Sequence, residues 1–203
     1  GKAYQRRGLS SKPMKLILAN PRGFCAGVYM AIDVVDQLLE LCPGEPIYVY
    51  HEIVHNRHVV ERFRGRGVKF IEDLIDVPEG SIVVFSAHGV SPALRAQATE
   101  RRLTAIDATC PLVTKVHAEA RRFAARGFTI LLIGHAEHVE VEGVVGEAPE
   151  RTIVVATPEE AEQVQVPDPD KVAVLTQTTL SVDEAMRVMT VLKRRFPNLH
   201  TPR

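Results

Sequence analysis

Two of the three cysteines in this 203-residue chain stand in the same local setting. Cys25 lies in NPRGFCAG and Cys110 in DATCP, each between a short apolar run and a stretch with helical periodicity. Gly23 and Gly27 allow tight backbone approach around the first, and Pro111 suits the first turn of a helix after the second. A helix N-terminus offers free N–H groups and the positive end of a dipole, a setting that favours thiolates and welcomes anions. Two such thiols, on two units, are placed to converge on one soft metal centre. A lone free cysteine is usually a small buried residue, so the pairing carries the argument. Cys42 does not join them. It lies 17 residues beyond Cys25 and continues the apolar stripe of Val28, Ile32, Val35 and Leu39. On one helix that spacing is about 25 Å, so Cys42 is expected to pack in the core.

Histidines recur at corresponding places: His55 in HEIVHN, His88 in SAHGV, and His135 and His138 in IGHAEHVEVEG. Imidazoles at strand ends suit hydrogen bonds to phosphate oxygens, or proton transfer near neutral pH. Glu140 follows His138 by two residues and is the candidate general acid. Glu142 is expected to face solvent or cap a helix. TQTTLS, Thr176–Ser181, brings hydroxyls to one more strand end, with Ser181 and Glu184 spaced as a capping box. His51, His58, His117 and His200 are read as structural or exposed.

These residues need elements that hold them on one edge. Candidate strands are Lys15–Ala19, Ile47–Tyr50, Val68–Ile71 and Ile82–Ser86, then Thr104–Asp107, Phe128–Ile133, Thr152–Ala156 and Val172–Thr176. Several are continuous apolar runs, as in strands covered on both faces. Helical stretches between them, including Gly27–Leu41 and Ser181 to about Phe196, give the alternation of a parallel α/β sheet with right-handed crossovers. Ligands of such sheets bind beyond the carboxyl ends of the strands, where the cysteines and histidines fall.

The strand sets repeat. Cys25 to Cys110, His55 to His138 and His88 to Thr178 are separated by 85, 83 and 90 residues. The fold class expected is therefore α/β: two similar small parallel-sheet domains with helices on both faces. Their expected bounds are 14–97 and 98–203, joined near the helix at Ser91-Pro92. Residues 1–13, with Lys2, Arg6, Arg7 and Lys12 and no acid, are expected to form a flexible arm.

Composition narrows the function classes. Lys and Arg total 25, as do Asp and Glu, and no basic run stands out, which argues against a nucleic-acid partner. No apolar run approaches the roughly 20 residues of a membrane helix. Three cysteines make no disulfide framework, so a reducing compartment, the cytoplasm, is expected.

Taken together in this order, ANPRGFCAGV, HEIVHN, FSAHGV, DATCPLVTKVH, GHAEHVEVEG and TQTTLS resemble the LytB family, the 4-hydroxy-3-methylbut-2-enyl diphosphate reductases of isoprenoid biosynthesis. The resemblance runs from Met14 to the last residue. It implies three α/β domains in a trefoil-like arrangement around a [4Fe-4S] cluster, each giving one cysteine and leaving one iron without a protein thiolate. By position, Cys25 and Cys110 resemble the first two ligands, and His55, His88 and His138 the histidines around the substrate diphosphate. Glu140 resembles the carboxyl that delivers a proton to the substrate hydroxyl, close to His138, and Thr178 the hydroxyl supporting that relay. The implied reaction is a reductive dehydroxylation of the allylic diphosphate to isopentenyl and dimethylallyl diphosphates. A ferredoxin or flavodoxin type donor is the implied partner.

Two departures stand out. Val139 occupies a position where the family usually has proline. The chain also stops before the family's third cysteine, so it is expected to be truncated, to lack the third domain, and to be inactive or nearly so alone. Two readings need no cluster: a diphosphate-binding fragment using the histidines and helix N-termini, and a zinc protein using Cys25, Cys110 and one or two histidines. Long ligand spacing weighs against the second.

Overall fold

The structure, a computed structural model, describes residues 15–20 and 22–202. The arm expected over 1–13 lies outside the described residues. The chain runs α1 (Ala26–Leu41), β1 (Ile47–Tyr50), α2 (Arg57–Gly65), β2 (Lys69–Ile71), a single 3-10 turn (Leu74–Asp76), β3 (Ile82–Phe85), α3 (Pro92–Glu100) and β4 (Thr104–Asp107). It continues with α4 (Pro111–Ala125), β5 (Thr129–Ile133), α5 (Val139–Val145), β6 (Thr152–Val155), α6 (Pro158–Gln163), β7 (Val172–Thr176) and α7 (Val182–Arg195). The strands form two wholly parallel sheets, ordered β2-β1-β3-β4 and β6-β5-β7.

Successive strand residues point to opposite faces, and strands β1, β3, β5 and β7 are covered on both, which is why they are largely apolar. In the first sheet Ile47, Val49 and Val84 pack with Ala31, Val35 and Phe63 from α1 and α2. Their neighbours Tyr48, Val83 and Phe85 pack on the other side with Leu74, Ala98 and Leu103. In the second sheet Ile130, Leu132 and Leu175 meet Ala120, Phe123 and Val141, while Leu131, Ile133 and Val174 meet Ala161, Val188 and Leu192. Truncating one of these buried side chains, such as Leu132→Ala, removes contacts worth about 2–5 kcal/mol. Side-chain caps start the helices where the sequence places them. Asn56 accepts from Val59 N at 3.2 Å, and Ser181 from Glu184 N at 3.2 Å.

Three features differ from the sequence reading. Lys15–Ala19 is not a strand: no described strand lies beside it, and Leu16, Ile17 and Leu18 are 79%, 77% and 61% exposed. A lone extended run has no ladder to make it a strand. Second, Thr104–Asp107 belongs to the first sheet, where it pairs with Ile82–Phe85. The break between the sheets therefore falls after Asp107, not at 97/98 or near Ser91-Pro92. The cause is α3, the crossover of a βαβ unit, which returns the chain to the sheet it left. Third, His200 forms a parallel bridge to Ala173 on the free side of β7, with Val174 N–H donating to His200 O at 2.9 Å. That is the place β4 takes beside β3.

Candidate active site

Both sheets change direction of winding between central strands, β1 and β3 in one, β5 and β7 in the other. Such switch points leave a crevice at the strands' carboxyl ends. His55 follows β1 and His88 follows β3, while His138 and Glu140 follow β5 and Thr178 follows β7. Cys110 stands between β4 and α4, and Cys25 opens α1. A cleft of about 280 Å³ is lined by Cys25, His55, His88, Cys110, Glu140 and Thr178. Apolar walls come from Val28, Val54, Ala87 and Val113. His138 is not part of that lining, but its Nε2 lies 3.2 Å from His55 Nε2 and its ring packs edge-on against His55 and His88.

The turn that presents His88 is tightly held. Gly89 has φ +77°, and a Cβ there would meet His117 Nε2 at 3.0 Å. Ser86 Oγ and His88 Nδ1 are 3.1 Å apart. Ala87 N–H donates to Ile53 O at 3.1 Å and Cys110 N–H to Ala87 O at 3.0 Å, tying the His55, His88 and Cys110 loops together. Burial, followed by the neighbouring imidazoles of His55, His138 and His51, lowers the His88 pKa to about 3, so the ring is neutral. His138 is lowered too, by burial first and then by His55 and His135.

Glu140 is 1% exposed. Its carboxylate accepts from Thr178 N–H at 2.6 Å and from the Thr178 hydroxyl at 3.0 Å. Burial raises its pKa, and the Thr178 donors only partly oppose this. The result is a carboxyl that holds its proton to higher pH than an exposed one, the property a general acid needs.

Sequence reasoning did not single out Gln177 or Thr179. The buried Gln177 side chain accepts from His135 N–H at 3.1 Å and donates to Thr179 Oγ1 at 2.7 Å, fastening the loop after β5 to the loop after β7. Its place inside TQTTLS was the available signal. Cys42 caps the C-terminal end of α1 and packs against the first sheet's core, as its stripe position predicts. His117 is buried and bonded to Glu147 at 2.7 Å, a structural role.

The donor chemistry at Cys25 and Cys110 fits soft-metal ligation. Neither side chain caps its own helix, and Gly27 leaves space that the Cys110 thiol fills. Among the described residues, no three His, Cys, Asp or Glu side chains gather around one point to hold a metal ion. The zinc reading therefore lacks a ligand set there. No helix among the described residues is long and apolar enough to cross a membrane.

Fold and site define an α/β protein of parallel-sheet units with thiols, imidazoles and a buried acid around one cleft. The chain belongs to the LytB protein family, whose model matches residues 16–203. It is 60% identical over 188 residues to the 4-hydroxy-3-methylbut-2-enyl diphosphate reductase of Acidothermus cellulolyticus, covering 93% of this chain and 55% of the relative. Reductase 2 of that name from Mycobacterium tuberculosis is 52% identical over 204 residues, covering 100% of this chain and 61% of the relative. The solved E-1-hydroxy-2-methyl-but-2-enyl-4-diphosphate reductase of Plasmodium falciparum superposes with TM-score 0.87 at 45% identity, covering 90% of this chain and 57% of that one. The chain thus spans just over half the length of these relatives.

Proposed function

We propose that this chain carries most of the active site of a 4-hydroxy-3-methylbut-2-enyl diphosphate reductase. The observation that carries the reading is the cleft itself: Cys25, Cys110, His55, His88, Glu140 and Thr178 line one space, although up to 153 residues of chain separate them. In the reaction, two electrons and two protons remove the substrate hydroxyl as water and leave isopentenyl or dimethylallyl diphosphate. Cys25 and Cys110 would hold a [4Fe-4S] cluster as two of its thiolates; when bound, the cluster supplies electrons and a Lewis-acidic iron.

The chain's own side chains divide the remaining work. Glu140, whose pKa burial raises and whose carboxyl Thr178 orients, gives its proton to the departing hydroxyl. His55 and His88, backed by His138, donate hydrogen bonds to the diphosphate oxygens. Val28, Val54, Ala87 and Val113 surround the hydrocarbon and exclude water. Further cluster and diphosphate contacts would come from the part of the family's length this chain does not span, in a third α/β unit beside the two built on the β2-β1-β3-β4 and β6-β5-β7 sheets. Electrons come from a ferredoxin or flavodoxin type protein, and the balanced charge and sparse cysteines fit work in the cytoplasm.

The test is Glu140→Gln at the equivalent position of a full-length family member. Turnover of the allylic diphosphate should fall by roughly 10²–10⁴, the usual worth of a general acid, while diphosphate affinity is retained. Full turnover in that variant would overturn the assignment.

A further inference from the structure

Gly27 is the second residue of α1, in the first unit, and Cys110 opens α4 at the start of the second. Their backbones approach so closely that a Cβ on Gly27 would overlap Cys110 Sγ outright, and would stand 3.1 Å from its Cβ and 3.7 Å from its Cα. All three of the nearest atoms belong to Cys110. Carbon and sulfur atoms that are not bonded to each other cannot share that space, so the volume is reserved for the thiol.

The helix gives no other reason for glycine here. Gly27 has helical backbone conformation, without the positive φ found at Gly23. In helical conformation glycine is disfavoured relative to alanine, because it has more backbone freedom to lose. Local propensity therefore favours alanine at this position, and the contact across the units opposes it. Cys25, the N-cap residue of the same helix, is two positions away and lines the same cleft as Cys110.

We propose that Gly27 is a positioning residue that brings the Cys25 and Cys110 thiols together, by leaving room for Cys110 Sγ against the first turn of α1. This rests on the reading of the two cysteines as partners in one ligand set. In Gly27→Ala the cheapest relief is rotation of Cys110 about its single side-chain torsion, which turns Sγ out of the cleft. The fold survives and the thiol pair is lost.

The experiment uses the metal-free chain and phenylarsine oxide, a trivalent arsenical that condenses with two thiols, forming two As–S bonds and releasing water. The wild-type chain should bind one equivalent through Cys25 and Cys110, with Cys25→Ser and Cys110→Ser abolishing the bridge. Gly27→Ala should weaken binding by roughly a hundredfold, the advantage lost when a second bond no longer closes intramolecularly. Its circular dichroism should match wild type, and both thiols should still react singly with iodoacetamide. Equal arsenical affinity in wild type and Gly27→Ala overturns the proposal, as does a wild-type chain that forms no bridge.

Should Gly27→Ala unfold the chain, the substitution is repeated in a Cys110→Ala background. There the thermal penalty of Gly27→Ala should shrink, because the sulfur it meets is gone; an unchanged penalty overturns the proposal. Iron and sulfide counts after anaerobic reconstitution report separately on the cluster. A bridge that depends on Gly27, with no iron or sulfide retained by the chain, would leave Gly27 in place and count against the cluster assignment alone.

Discussion

The backbone N–H of Glu140 donates to Nδ1 of His138 at 3.1 Å, so the imidazole that precedes α5 also caps it. That contact commits Nδ1 as an acceptor and leaves the neutral ring's proton on Nε2. Nε2–H then donates to His55 Nε2 at 3.2 Å, which puts the His55 proton on Nδ1, facing Glu52 at 3.4 Å. Long-range ¹H–¹⁵N spectra at pH 7.5 should show the Nε2–H tautomer for His138 and Nδ1–H for His55. His138→Ala should cost about 1 kcal/mol through loss of the cap, and His138→Asn much less; equal losses in urea unfolding would show that the cap is not what His138 contributes to stability.

Thr178→Val keeps the side chain's shape and the backbone N–H at 2.6 Å but removes the hydroxyl that donates at 3.0 Å. A carboxylate with one donor fewer is harder to ionise, so the already raised Glu140 pKa should rise further. Carboxyl ¹³C titration of wild type and variant reads this directly. A Glu140 that titrates at the same pH in both would show that the hydroxyl does not hold it.

The neutral His88 makes the fold sensitive to acid. Its pKa is about 3 when folded against an ordinary 6.5, so between those values the unfolded chain binds a proton the folded chain refuses. Stability must then fall as pH drops through that window, by up to about 1.4 kcal/mol per pH unit for one such group. Urea midpoints should decline from pH 7 to pH 5, and His88→Gln should flatten the decline. A slope unchanged in that variant would assign the acid sensitivity elsewhere.

Inorganic pyrophosphate brings negative charge to His88 and His138, whose pKa values burial lowers. Bound against these rings it raises those values, so binding takes up protons. Affinity should therefore weaken as pH rises from about 3, the His88 value in the free chain, towards the ordinary 6.5. Calorimetric heats should also change between buffers of different ionisation enthalpy. Binding that is independent of both pH and buffer would place the anion away from these histidines.

The site is legible in the sequence because its chemistry-bearing residues sit where strands end, and strand ends can be read from apolar runs and turn residues. Cys110, His55, His88 and Thr178 fall on that pattern; Cys25 follows no strand and is marked only by the helix it opens, and one cleft collects all five. Partnership is not legible. Lys15–Ala19 has the composition of a strand, but composition carries no record of what lies alongside. Thr104–Asp107 reads as a strand and is one, yet it pairs in the first sheet rather than the second, because order along the chain does not say which way a crossover returns. Gln177 stays hidden because its worth lies in the hydrogen bond it accepts from His135 N–H, in a loop that meets its own only in the folded chain.

The place of β4 beside β3 bears on how the chain is made as well as on how it works. The ribosome delivers Ile47–Phe85 before it delivers Thr104–Asp107, so the first sheet waits for a strand that arrives with the opening of the next unit. Until then β3 presents an unpaired edge, an invitation to the wrong partner. Fragments ended between Phe85 and Thr104 should be prone to aggregate, and ones ended after Asp107 should not. The first unit, on this view, is finished only as its successor begins.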